Sequence, residues 1–209
     1  MISRSRIRCT AWCLYPAALT LASALVLALC VGPLAAHAQK PAPQADSQAA
    51  QAAALKDFQQ RLKAYVDLRA DLTRKLKPLS PTASASELAA RQESLAAALR
   101  QTRKTAKQGD LIPTPVANQL RTIVQTDLKN RSAESRQAAF SEVANATAPI
   151  INRTYPADAA LPTMPPLLLA KLPMLPDNLQ YRFLGRHLLL LDSDTQLILD
   201  YVSNVLPPH

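Results

Sequence analysis

Past the first fifty residues, the spacing of hydrophobic positions changes twice and divides the chain into three parts. From about Ala49 to Lys77, the residues Leu55, Phe58, Leu62, Tyr65, Leu72 and Leu76 fall on one stripe of a 3.6-residue helix. Lys75 and Lys77 sit in its last turn, where cations complement the helix dipole, and Pro78 stops it. Ser84 with Glu87 forms a capping box that opens a second helix toward Gly109, striped by Leu88, Leu95 and Leu99. Thr114 caps and Pro115 opens a third, with Leu120, Ile123, Val124 and Leu128 on one face. A fourth is predicted from Ser132 to about Thr147, burying Phe140, Val143 and Ala144. Each striped leucine, once buried, contributes about 1.5–3 kcal/mol. Short polar loops between such helices predict an antiparallel bundle over residues 51–148.

Residues 149–178 cannot continue a long helix, because seven prolines recur between Pro149 and Pro176. Leu167, Leu168, Leu169, Leu172, Met174 and Leu175 are too apolar for a free linker, so an extended strap across the bundle is expected, with a turn or two of helix over Pro166–Leu172. From Leu179 the period becomes two. Gly185-Arg186 suits a two-residue turn with glycine first, and Ser193-Asp194 a second, predicting a three-stranded antiparallel meander over residues 179–209. That register sets Phe183 opposite Leu188, Tyr181 opposite Leu190, Leu190 opposite Leu197 and Leu188 opposite Leu199. The predicted fold is therefore α+β, a bundle of about four helices followed by the strap and the meander.

The meander has two faces. Leu179, Tyr181, Phe183, Leu188, Leu190, Leu197, Leu199 and Tyr201 form an apolar face assigned to the core. The opposite face mixes Arg182, Leu184, His187, Leu189, Leu191, Ile198, Asp200 and Val202, with Arg182 across from Leu189 and His187 across from Asp200. It holds too much apolar surface to stay bare, so the strap covers it, or a partner or second copy does. Arg182, Leu184, His187, Leu189, Leu191, Ile198 and Asp200 are accordingly the candidate interaction face.

Leu172-Pro-Met-Leu-Pro176, Leu179-Gln-Tyr-Arg-Phe183, Gly185-Arg186, Leu190-Leu-Asp192 and Leu197-Ile-Leu-Asp200 resemble the tail of an uncharacterised family of small exported proteins of Gram-negative bacteria. The resemblance covers roughly the last fifty residues. It implies export and a shared terminal sheet, and brings no activity or ligand with it.

The N-terminus carries its own signal. Arg4, Arg6 and Arg8 precede an apolar run from about Ala11 to Val31, and Ala36-His37-Ala38 offers small residues at the cleavage positions. Residues 1–38 are expected to be a signal peptide and residues 39–50 a disordered leader, giving a periplasmic or secreted protein. An uncleaved anchor in the inner membrane is the alternative. All three cysteines, Cys9, Cys13 and Cys30, fall inside the signal, so the mature core is built by apolar burial without disulfides.

Charge adds one more expectation. Residues 56–107 hold twelve basic and five acidic side chains, whereas residues 108–209 hold eight and nine. The basic helical half is expected to face an anionic membrane or envelope surface; export and the lack of an aromatic between residues 66 and 139 disfavour nucleic acid. With only Gly109 and Gly185 after residue 38, glycine-rich phosphate loops are excluded and no cofactor is expected. His187 and the terminal His209 are too few for a metal centre, and Asp192-Ser-Asp194-Thr-Gln196 lacks the glycine and closing glutamate of a calcium loop, so it is read as a turn. His187 and Asp200 could serve as base and orienter of a hydrolase, but no G-x-S-x-G supplies a nucleophile, and a cross-strand pair is the simpler reading. These features favour a non-enzymatic binding or adaptor protein of the envelope, with a hydrolase or a structural oligomer as alternatives.

Overall fold

The computed structural model describes residues 43–136, 148–156 and 164–206, with side chains from residue 46 onward. The expected signal peptide, its cysteines, Phe140, Val143 and Ala144 of the fourth helix, and His209 lie outside the described residues. Helix α1 spans Pro43–Lys75, α2 Ala85–Thr102 and α3 Thr114–Lys129, and a single helical turn, α4, spans Pro166–Leu169. Strands β1 (Leu179–Leu184), β2 (His187–Asp192) and β3 (Ile198–Val202) form an antiparallel sheet in the order β1-β2-β3. The architecture is α+β.

Helix α1 begins six residues before the predicted Ala49, so residues 43–50, expected in the leader, are its first turns. Phe58, Leu62 and Tyr65 of its stripe are buried, and α1 packs against both α2 and α3. The Ser84–Glu87 capping box forms as predicted, but α2 ends at Thr102, where Arg103 caps it on the Leu99 carbonyl. Leu95, Ala96 and Leu99 of α2 are buried, whereas Leu88 is exposed. Pro113 rather than Thr114 stands at the N-cap of α3, which buries Val116, Leu120, Val124 and Leu128.

The first hairpin has the predicted register, with Tyr181 opposite Leu190, Arg182 opposite Leu189 and Phe183 opposite Leu188. Gly185 has φ +54, the left-handed region that its turn position needs and that other residues enter at a cost. The second hairpin departs from the prediction. Its loop has four residues, Ser193–Gln196, closed by hydrogen bonds between Asp192 and Leu197 and between Gln196 and Asp192. Gln196 takes the left-handed conformation, at φ +55. Leu191 then pairs with Ile198, but Leu190 pairs with Asp200 and Leu188 with Val202, because Leu199 is the extra residue of a bulge.

The bulge inverts the alternation beyond it. Leu197, Leu199 and Val202 join the main core, while Tyr201 turns to the opposite side. That side is not bare. Leu184, Leu189, Leu191 and Ile198 are buried there with Tyr155, and the partly buried Ile151 and Tyr201 pack against them. Residues 152–155 run beside β3 and satisfy its outer edge: the Asn152 amide donates to Ile198 and the Ile198 amide to Arg153, each at 2.8 Å. The Tyr155 amide donates to Gln196, also at 2.8 Å.

Candidate functional site

Five of the seven residues expected to form the interaction face are therefore buried in the fold. Leu184, Leu189, Leu191 and Ile198 are at most 5 % exposed, and Asp200 is fully buried. Asp200 accepts hydrogen bonds from the backbone amides of Gly109 (3.0 Å), Leu111 (2.9 Å), Ile112 (2.7 Å) and Tyr201 (2.8 Å). It fills a nest of N–H groups in the loop between α2 and α3, and Gly109, at φ +91, helps shape that loop. Burial pushes its carboxyl up, against four backbone donors that favour the charged form.

The His187–Asp200 pairing does not form. Asp200 lies opposite Leu190, three positions along β2, and His187 lies opposite Leu184 beside the turn. The half-buried His187 ring instead meets Tyr201 edge-on, with centroids 5.8 Å apart, and its buried Nδ1 has no hydrogen-bond partner among the described residues. Burial first, and the Arg186 guanidinium second, hold its imidazole below the usual histidine range. Of the expected face, only Arg182 and His187 keep substantial access to solvent.

Seven of the twelve basic side chains of residues 56–107 are held by partners within the chain. Arg61 pairs with Asp57, Lys63 with Asp67, Arg69 with Asp192 and Asp194, Arg74 with Asp71, and Arg100 with Glu93. Arg91 binds the Lys77 and Thr73 carbonyls. Arg103 stacks over the Tyr65 ring at 5.4 Å and donates to the Leu199 carbonyl at 2.9 Å. Lys56, Lys75, Lys77, Lys104 and Lys107 have no ion pair among the described residues.

An open concavity lies elsewhere, along the outer edge of β1. A groove of about 640 Å³ is lined by Met164, Leu169, Ala170, Leu172–Leu175 and Leu179–Arg182. Side chains of consecutive strand residues alternate between faces, so a groove touching all four of Leu179, Gln180, Tyr181 and Arg182 runs along the strand's free edge. The segment carrying α4 forms the other wall. Leu168 and Leu172 dip into the core, Lys171 binds Asp127 of α3 at 3.2 Å, and the Tyr181 hydroxyl donates to the Pro173 carbonyl at 3.3 Å. Besides Lys171, this wall leaves large apolar side chains outside: Leu167 is 77 %, Leu169 48 % and Met174 88 % exposed.

Sequence reasoning missed this site because it assigned Leu167 to Met174 wholesale to a covering strap. A single helical turn can bury one side only, and that limit was the available signal. No cluster of His, Cys, Asp or Glu able to hold a metal occurs among the described residues, and no helix among them is long and apolar enough to cross a membrane. Comparison with protein-family models, with curated proteins and with solved structures gives no match.

Proposed function

We propose that this chain is an exported, non-enzymatic binding or adaptor protein of the bacterial cell envelope, and that it engages its ligand through the groove beside β1. The observation that carries the reading is the groove's lining. Its polar side chains are Gln180, Tyr181, whose hydroxyl is already bound to Pro173, and Arg182, and the rest is aliphatic. Such a surface is built to bury apolar groups and orient one polar one. The finer architecture belongs to the same proposal. Ser132 accepts from the Ser135 amide as a helix cap would, which supports a fourth helix, and the Thr154–Leu197 bridge supports a strap over residues 149–178.

Two measurements test it. Produced with its own N-terminus in a Gram-negative host, the chain should be recovered from the periplasm trimmed after Ala38. The purified chain should bind the anionic apolar dye anilinonaphthalene sulfonate saturably, and Met174→Glu should remove that binding. Retention in the cytoplasm overturns the export part, and a dye isotherm unchanged by the substitution overturns the groove.

A further inference from the structure

The two edges of the sheet are treated differently. The edge of β3 is paired by residues 152–155, as described above. On β1, the two-residue turn makes Leu184 and His187 a hydrogen-bonded pair, and the Ser193 amide bonds to the Asn178 carbonyl at 2.8 Å. These fix the alternation, so the N–H and C=O groups of Leu179, Tyr181 and Phe183 point away from β2. At each end of that edge one of the two outward groups is bonded. The Leu179 amide donates to Pro176 at 2.9 Å, and the Tyr155 hydroxyl donates to the Phe183 carbonyl at 3.0 Å.

Tyr181, between them, has no backbone partner on its outer side among the described residues. The residue is only 5 % exposed, so its peptide groups are sheltered from bulk water at the floor of the groove. A sheltered, unpaired peptide donor and acceptor is costly unless something completes it. Across the groove, a space of about 640 Å³, stand the apolar side chains of Leu169, Leu172, Pro173, Met174 and Leu175. At the rim, the nearest described partner of the Arg182 guanidinium is the neutral Gln180 Oε1, at 3.3 and 3.4 Å, and no carboxylate lies within ion-pair distance among the described residues.

We infer that the groove receives an extended peptide that adds to β1 as a further strand, exchanging backbone hydrogen bonds with Tyr181, seating apolar side chains against Leu169 and Met174, and setting a carboxylate on Arg182. Strand addition accounts for both kinds of surface at once: main-chain pairing supplies affinity, and the alternate side chains supply selectivity. A fatty acid would satisfy Arg182 and the aliphatic wall but leave the Tyr181 peptide groups unpaired, so the peptide is favoured. The inference rests on the binding groove proposed above and names its occupant.

The probe is a fluorescent peptide of about eight residues, alternating valine and threonine and ending in leucine. It is compared as the free acid, as the C-terminal amide, and with alternate backbone nitrogens methylated. Decanoate is the lipid-like competitor, and anisotropy together with amide chemical shifts are the readouts. The free acid should bind and shift the Tyr181 amide, the amide form should bind about tenfold more weakly, and the methylated form should not bind. Arg182→Gln should erase the difference between acid and amide, and Met174→Glu should abolish binding while leaving the folded spectrum intact. Equal binding of the methylated peptide overturns strand addition, as does decanoate binding where no peptide binds, or a concentration-dependent dimer that buries Tyr181 in its place. Dye binding without peptide binding would defeat this inference while leaving the groove itself standing.

Discussion

Tyr65 in α1 donates a 2.7 Å hydrogen bond to Asp192 at the end of β2, so two residues 127 positions apart join the first helix to the sheet. Arg69, one turn further along α1, donates to the same carboxylate oxygen at 2.8 Å and also pairs with Asp194. The other oxygen of Asp192 accepts from the Asp194 amide, the Thr195 amide and the Thr195 hydroxyl, at 3.1, 2.9 and 3.0 Å. One buried carboxylate thus clamps helix to sheet and shapes the loop that sets the register of β3.

Removing that carboxylate leaves the Tyr65 hydroxyl without its acceptor and Arg69 held only by the half-exposed Asp194, and breaking one side of a buried pair costs about 3–5 kcal/mol. Asp192→Ala is therefore expected to lose that much in urea unfolding. The double variant Asp192→Ala with Arg69→Met should lose less, because it no longer buries a guanidinium whose Nε has lost its acceptor. If the double variant is at least as unstable as the single one, the clamp is not an electrostatic unit.

Acid should act through the same group. Burial opposes ionisation of Asp192, but hydrogen bonds from Thr195, Tyr65 and Arg69 outweigh it and hold its carboxyl below the usual aspartate range. A carboxyl depressed in the folded state contributes stability that is fully present above the unfolded value, about 3.9, and is lost as the pH falls through the folded value. Asp200 works in the opposite sense, since a raised carboxyl loses stability as the pH climbs from its unfolded to its folded value. The stability of the native chain should fall as the pH drops below about 4, and Asp192→Asn should flatten that fall. An unchanged slope would assign acid sensitivity to other carboxylates.

Asp200 offers a second test of buried charge. An asparagine there would keep one acceptor oxygen and turn an NH₂ group toward amides that already donate. Leaving buried donors unpaired costs about 1–3 kcal/mol. Asp200→Asn should lose at least that much in urea unfolding and speed hydrogen exchange at Leu111 and Ile112 above that of distant α3 amides. Exchange rising uniformly across the chain would show that the loop between α2 and α3 has no stability of its own to lose.

How far the sequence reaches depends on whether an element is set locally. The β1–β2 register was legible because Gly185-Arg186 sets the turn and the hydrophobic alternation agrees with it. The β2–β3 register was not, because Ser193-Asp194 looks like an adequate two-residue turn. The four-residue loop wins only when Asp192 is held by Tyr65 and Arg69 from a distant helix, and the bulge only when Asp200 meets the amides of Gly109, Leu111 and Ile112. The groove was hidden for a related reason: whether a strand edge is paired depends on segments whose sequences carry no mark of it.

The leucines of α2 separate sequence pattern from packing. Leu88, Leu95 and Leu99 fall on one predicted stripe, yet Leu99 is fully buried and Leu88 is 46 % exposed. The difference follows from where α1 stops. Arg91 reaches the Thr73 carbonyl in the last turn of α1 and the Lys77 carbonyl just past it, so the first turn of α2, which carries Leu88, lies beyond the partner helix. Leu99→Ala should cost about 2–5 kcal/mol through lost burial and a residual cavity. Leu88→Ala should stay within about 0.5 kcal/mol of the native chain, since alanine is also the better helix former. Equal losses at the two sites in chemical denaturation would mean that Leu88 is covered in solution, and that α2 meets a further surface along its first turn.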